Sequence, residues 1–163
     1  MGLDCWLYTK RFIWSDKKEN PDELQKLVTL FTLKGNEIFG DMKDYELKEL
    51  VFEVGYWRKA NQIHRWFVNN IQKGEDDCGK YEVTKEELQK LLDIINQILD
   101  EKNKDKQIKL AKELLPVKEG FFFGGTDYDI YYFEDLKHTK EIIEKLFKIK
   151  NLNDYDIEYH SSW

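Results

Sequence analysis

The chain predicts an α+β domain: a small antiparallel or mixed sheet that includes strands from both ends of the sequence, with about four to five helices packed mainly on one face. Three observations carry this reading. The first and last stretches alternate apolar and polar residues with a period of two. Between them, several stretches repeat apolar residues at helical spacing. Neither a Pro- or Gly-rich linker nor an internal repeat interrupts the 163 residues, so one domain over residues 1–163 is expected, long enough to bury a core.

In order, Leu3, Cys5 and Leu7 alternate with Asp4, Trp6 and Tyr8, which predicts a strand over about residues 2–12. Asn20-Pro21-Asp22-Glu23 reads as a helix start, with Asn20 as N-cap, Pro21 at the first position and Glu23 closing a capping box. Leu24, Leu27, Val28 and Phe31 follow at helical spacing, and Gly35 reads as the stop. Leu47 to Val54 fits both periods; Gly55 and a better helix after it favour a strand. That helix is expected from Tyr56 to Gln72, with Tyr56, Ala60, Ile63, Phe67 and Ile71 inward. Gly74 and Gly79 bracket an acidic loop, Glu75-Asp76-Asp77, read as solvated because it lacks calcium-loop spacing.

Tyr81-Glu82-Val83 is a short extended piece. Thr84 and Glu87 form a capping box before Leu88, Leu91, Leu92, Ile95, Ile98 and Leu99, an amphipathic helix. Asp100 to Lys106 reads as a solvated turn, and Ile108 to Leu115 as a short helix stopped by Pro116. Gly120 to Gly125 reads as a short strand and turn. The last long helix is expected from Asp129 to Lys148, with Tyr132, Leu136, Thr139, Ile143 and Leu146 inward. Tyr155, Ile157, Tyr159, Ser161 and Trp163 then share one face of a final strand. Lone strands are unstable, so the two ends should pair.

Hydrophobic residues make up 41% of the chain and aromatics 15%, so large rings should dominate core and pocket. The net charge of −6 argues against a nucleic-acid polymer as partner, since a phosphate backbone needs a basic face. No apolar run is long enough for a membrane span, and Met1-Gly2-Leu3-Asp4-Cys5-Trp6 has no signal-peptide layout, so the expected location is the cytoplasm. Trp6 stands where a myristoylation start needs Ser or Thr. Cys5 and Cys78 make no CxxC pair and are expected to be free thiols. No cysteine or histidine pair has metal-ligand spacing, and no cofactor motif, nucleophile elbow or phosphate loop is present; no metal, cofactor or catalytic triad is expected.

Three places carry candidate functional residues. Gly120-Phe121-Phe122-Phe123-Gly124-Gly125-Thr126-Asp127-Tyr128-Asp129 combines rings, glycines and a capping pair, Thr126 with Asp129, as if a turn ran straight into a helix. Glycines admit a ligand to the backbone, and amides at a helix start bind anions. Asp127 and Asp129 suit a ribose hydroxyl, a base edge or a cation better than a bare phosphate. Second, Trp57, Asn61 and His64 lie at i, i+4 and i+7 of the expected helix, with Arg58, Asn61 and Arg65 as the adjoining row. An indole, an amide, an imidazole and two guanidiniums suit a nucleotide-like ligand. Third, His160 and Glu158 share the polar face of the last strand, where Asp4 could complete a carboxylate–imidazole cluster. Each also has a structural reading: a plain turn, an interior histidine with surface arginines, an exposed sheet face. The ligand-binding set is therefore Trp57, Arg58, Asn61, His64, Arg65, Phe123, Gly124, Gly125, Thr126, Asp127, Tyr128 and His160. The glycine turn and the Trp57/Asn61/His64 row should line one cavity, because a compact domain gathers such exceptions at one site.

Several segments together resemble a family of small proteins encoded by bacteriophages and prophages. They are Gly2-Leu3-Asp4 with Leu7-Tyr8; Tyr56-Trp57-Arg58-Lys59-Ala60-Asn61 with Ile63-His64 and Trp66-Phe67-Val68; Asp76-Asp77-Cys78; Leu114-Leu115-Pro116; Gly120 to Asp129; and Tyr159-His160-Ser161-Ser162-Trp163. The resemblance implies action in a bacterial host cytoplasm, against host defence, and carries no catalytic residues with it. Three function classes follow. The first is a protein that sequesters a small nucleotide-like or phosphorylated signalling molecule. The second is an inhibitor that binds a host defence protein, suggested by the acidic charge and many Tyr and Trp residues. The third is a nucleotide hydrolase using His64 or His160.

Overall fold

A computed structural model describes residues 2–14, 20–40 and 45–163. The elements in chain order are β1 (Asp4–Phe12), α1 (Asp22–Phe39), β2 (Glu49–Arg58), α2 (Asn61–Asn70), β3 (Lys80–Glu82), α3 (Lys85–Asp100), α4 (Lys104–Leu114), α5 (Ile130–Leu146) and β4 (Asp156–Ser162). The four strands form one antiparallel sheet in the order β2-β1-β4-β3, so the first and last strands lie side by side at its centre. In the β3–β4 pair, Lys80 faces His160, Tyr81 faces Tyr159 and Glu82 faces Glu158. The chain divides into two compact units, Met1–Thr9 with Phe52–Trp163, and Lys10–Val51.

In the larger unit the sheet is two-faced, as period-two alternation requires. Leu3, Cys5 and Leu7 join Trp57, Ile157 and Tyr159 in one core with α2, α3, α4 and α5. Leu91 and Ile95 of α3 and Leu136 and Ile143 of α5 are fully buried in it. The opposite sheet face carries Trp6, Tyr8, Tyr56 and His160, none of them buried. Helix α3 starts as its sequence demands: Glu87 N donates to Thr84 Oγ1 at 3.2 Å while Glu87 Oε2 accepts from Thr84 N at 2.8 Å. The helix starting at Lys104 is one turn longer than expected, because Asn103 caps it by accepting from Lys106 N.

Other expected boundaries move for physical reasons. Strand β2 does not stop at Gly55 but continues to Arg58, so Tyr56, Trp57 and Arg58 are strand residues. A Cβ on Gly55 would lie 2.7 Å from Ile142 Cγ2 and 3.2 Å from Trp57. The glycine is there because α5 packs onto the strand, not to end it. No strand forms in Gly120 to Gly125; Phe123 N donates to Gly120 O across a tight turn with Phe122 at φ 67°. Thr126 does not cap α5. Asp129 does, its Oδ1 accepting from Tyr131 N and Tyr132 N.

In the smaller unit, α1 runs through Gly35 to Phe39, and the left-handed break comes at Gly40, φ 89°. Asn20 makes no helix cap. Its amide instead pairs with the backbone of Trp14, accepting from Trp14 N at 3.0 Å and donating to Trp14 O at 2.8 Å. Helix α1 leaves Leu27, Leu30, Phe31, Leu33 and Ile38 about half exposed or more.

The cap on α3 is the simplest local test of this fold. Thr84→Ala removes the hydroxyl that accepts from Glu87 N, while the backbone N–H of residue 84 can still donate to Glu87; it should lower stability by about 1 kcal/mol, read as a shift in the urea midpoint at unchanged slope.

Candidate functional site

The site begins where β2 turns into α2. Lys59 sits at φ 63°, and its amide still bonds Leu3 O at 2.8 Å, so the sheet holds the chain up to this point. Asn61 N then bonds Lys59 O at 2.9 Å across Ala60, whose φ −75° and ψ 70° make an inverse γ-turn. The reversal throws the first residues of α2 under the sheet end. Asn61, Gln62 and His64 are all buried, and each is paired.

Asn61 is a three-way clamp. Its Nδ2 donates to Gly125 O at 2.8 Å and Phe123 O at 3.3 Å, while its Oδ1 accepts from Lys118 N at 2.9 Å. It therefore ties the glycine turn to the strand–helix junction. The approach is close: Gly124 has φ 101°, and a Cβ there would lie 2.9 Å from Lys59 O. Gly125 has nothing near its absent side chain, so of the two glycines Gly124 carries the constraint.

This junction opens a cleft of about 310 Å3, lined by Arg58, Lys59, Asn61, Gln62, Gly124, Gly125, Asp127, Asp129, Tyr131, Tyr132 and Asp135. Gln62 Nε2 donates to Asp135 Oδ2 at 3.0 Å, and burial pushes the Asp135 carboxyl above its ordinary value. Arg58 is exposed and 4.0 Å from Asp4. The cleft thus offers two cations, three carboxylates, two amide side chains, two tyrosines and glycine backbone.

A polar chain runs from the half-buried Asp76 inward to the buried His64 and Tyr159. His64 Nδ1 is 2.8 Å from Tyr159 Oη and Nε2 is 3.1 Å from Asp76 Oδ2. A carboxylate only accepts, so the imidazole donates from Nε2 and accepts the tyrosine proton at Nδ1. Asp76 also accepts from Lys118 Nζ, and from Trp163 Nε1 at 2.9 Å. Burial holds the His64 imidazole below its ordinary value; Asp76 opposes this and Lys118 adds to it. Burial pushes the Asp76 carboxyl up, but Lys118, His64 and Trp163 outweigh burial and hold it below the ordinary carboxylate range. Burial also pushes the Cys5 thiol, beside Tyr159, up to about 12.

The residues singled out from sequence separate into three groups. Arg58, Asn61, Gly124, Gly125 and Asp127 meet in the cleft. Trp57, His64 and Phe123 lie in the core: the Trp57 indole donates to Thr139 Oγ1 at 2.8 Å, and Phe123 packs edge-on to His64. The remaining four lie apart from the cleft. Arg65 donates to Val117 O at 2.7 Å, Tyr128 Oη accepts from Val117 N, and Thr126 is exposed beside Lys112. His160 stacks on Trp6 across the other sheet face, ring centres 5.4 Å apart. The expected helical row of Trp57, Asn61 and His64 does not exist, because Trp57 belongs to β2. Lys59, Gln62, Tyr131, Tyr132 and Asp135 were not singled out for binding; no local motif marks residues that meet only through the γ-turn. Asp76, expected to be a solvated loop acid, instead accepts from His64, Lys118 and Trp163. Among the described residues, no three His, Cys, Asp or Glu side chains gather as metal ligands, and no helix is long and apolar enough to cross a membrane.

No protein-family model, curated protein or solved structure matches this chain.

Two tests address this site. A lowered folded-state value at His64 means that the unfolded chain protonates first as pH falls. Its stability contribution is complete above about pH 6.5 and declines below that. The Asp76 contribution is lost in a lower window, as pH falls from about 4 through the depressed folded value. Urea unfolding at a series of pH values should therefore show stability falling with acidification, and His64→Gln should flatten the upper part of that decline; an unchanged slope would assign it to another group. His64→Leu leaves Asp76 and Tyr159 each short of a partner and should cost about 2–3 kcal/mol. Gly124→Ala forces a side chain into a left-handed position against Lys59 O. It should destabilise by about 1–2 kcal/mol, whereas Gly125→Ala should be near neutral by the same thermal-unfolding measurement.

Proposed function

We propose that this chain is a binding protein for a small phosphorylated, nucleotide-like molecule, held in the cleft between the β2–α2 junction and the glycine turn. The observation that carries the reading is the mixed lining of that cleft: Arg58 and Lys59 together with Asp127, Asp129 and Asp135. Cations suit a phosphate. Carboxylates and the Gln62 amide suit ribose hydroxyls or an exocyclic amine, and Tyr131 offers an exposed ring for a base. A ligand that carries both chemistries matches the lining better than a bare anion or cation does. The size, near the lower end for ligand clefts, favours one small molecule over a polymer. Together with the resemblance to phage and prophage proteins, the reading extends to sequestration of a signalling nucleotide in a bacterial cytoplasm, antagonising host defence. A hydrolase built on His64 is less well supported, since both ring nitrogens are engaged and the ring is wholly buried.

A second reading, an inhibitor that binds a host defence protein, is favoured by one observation: the exposed apolar residues Leu27, Leu30, Phe31, Leu33 and Ile38 of α1. A stable protein complex abolished by Leu30→Glu and Phe31→Glu, with no nucleotide retained, would replace the first reading.

Incubation with linear and cyclic nucleotides, then heat release and chromatography, distinguishes sequestration from turnover. Recovery of an intact nucleotide is expected. Arg58→Ala should weaken its binding about 10- to 100-fold, the loss of one charge-assisted contact, and Asp127→Asn should weaken binding without unfolding the protein. Conversion to product would put a hydrolase in its place.

A further inference from the structure

We propose that a second concavity, between the start of α4 and the first two turns of α5, docks a short acidic segment of a partner protein. This goes beyond the cleft and does not depend on it. The groove measures about 610 Å3. Its apolar floor is Leu99, Ile130 and Phe133, and Lys102, Lys104 and Lys137 stand on its rim. Ile130 is 66% exposed, so the floor has open apolar surface to offer.

The rim lysines are all exposed, and among the described residues none has a hydrogen bond or ion pair with a carboxylate. Two carboxylates also line the groove, each accepting from neutral backbone amides. Glu101 Oε1 accepts from Asn103 N at 2.7 Å, and Asp129 Oδ1 caps α5. Three lysines stand against these two carboxylates, so the lining carries a slight positive excess on a chain whose net charge is −6.

The placement of Lys102 and Lys104 costs stability. Lys104 is the first residue of α4 and Lys102 precedes its cap, Asn103. Cations at a helix N-terminus oppose the helix dipole. Exposed lysines set against the dipole, unpaired, around open apolar surface, complement a ligand that brings carboxylates and an apolar anchor together. An acidic peptide with an aliphatic or aromatic residue has that composition. The net negative charge of the chain repels a long polyanion such as a nucleic acid. A flat anionic membrane does not fill a concave groove.

The test is selection from a random dodecapeptide display library on the intact chain, followed by fluorescence anisotropy of the selected peptides. Selected peptides are expected to carry net negative charge and at least one aliphatic or aromatic residue, and to bind more weakly as salt rises. The Lys102→Glu/Lys104→Glu/Lys137→Glu variant should lose at least about tenfold in affinity while remaining folded, and the Lys102→Glu/Lys104→Glu pair alone should keep or raise thermal stability, since glutamates favour the start of α4. Ile130→Ser should weaken binding independently, and Arg58→Ala should leave it unchanged. Neutral or basic selected peptides, equal binding to the triple-lysine variant, tighter binding of a single-stranded RNA dodecamer than of any peptide, or no selected peptide at all would each overturn the proposal.

Discussion

The candidate site depends on one half-buried carboxylate. Asp76 takes a hydrogen bond from α2 through His64, from the segment after α4 through Lys118, and from the residue after β4 through Trp163. A charge drawn partly out of water is stable only if its lone pairs are filled. Here three elements supply the donors, so satisfying one anion requires their relative placement. The same demand sets the His64 tautomer, which in turn lets Tyr159 donate from the centre of the sheet. Lys118 completes the linkage, because its side chain reaches Asp76 while its backbone amide is held by Asn61. Lys118 is thus tied to α2 twice, to Asn61 directly and to His64 through Asp76.

That arrangement explains which parts of the architecture could be read from residues alone. The pairing of the two terminal strands, the boxed start of α3 and the inward face of α5 follow from short-range pattern, and all are present. Where local pattern failed, a tertiary contact had overridden it. Gly55 looks like a stop but is a contact point for Ile142. Tyr56 to Arg58 are expected to open a helix but lie in β2, where the sheet holds the chain as far as Lys59 N, bonded to Leu3 O. Part of the cleft was legible, since Arg58, Asn61 and the glycine turn stand out by composition. Gln62 and Asp135 did not, because their pairing spans 73 positions of sequence. Asp76 was misread for the same reason: an acidic loop between glycines gives no sign that a histidine, a lysine and an indole converge on it.

The segment from Asp127 to Ile130 is shared ground. Asp127 and Asp129 line the cleft, while Tyr128, Asp129 and Ile130 line the lysine-rimmed groove. Asp129 is fixed by the amides of Tyr131 and Tyr132, and Tyr128 by Val117 and the ring of Tyr132. One rigid corner therefore presents two surfaces of different chemistry: mixed charge on one side, lysines over apolar residues on the other. The Phe121 and Phe122 rings, both exposed, pack against each other at a tilt of 58° just upstream of this corner.

The adjacency of β1 and β4 has a consequence for how the chain is made. β1 precedes every helix described and β4 follows them all, yet the two are neighbours at the middle of the sheet. During synthesis, β1 therefore waits without one of its partners while roughly 5–20 residues are added each second. Over that interval only β2 can shield an edge of β1, and α2 to α5 must gather on an unfinished sheet. Contacts so distant in sequence also slow folding, because their loops must close before the contacts contribute. Leu3, Cys5 and Leu7 are the apolar residues exposed longest on this route. In a crowded cell they are the stretch that a nascent-chain chaperone would have most time to meet.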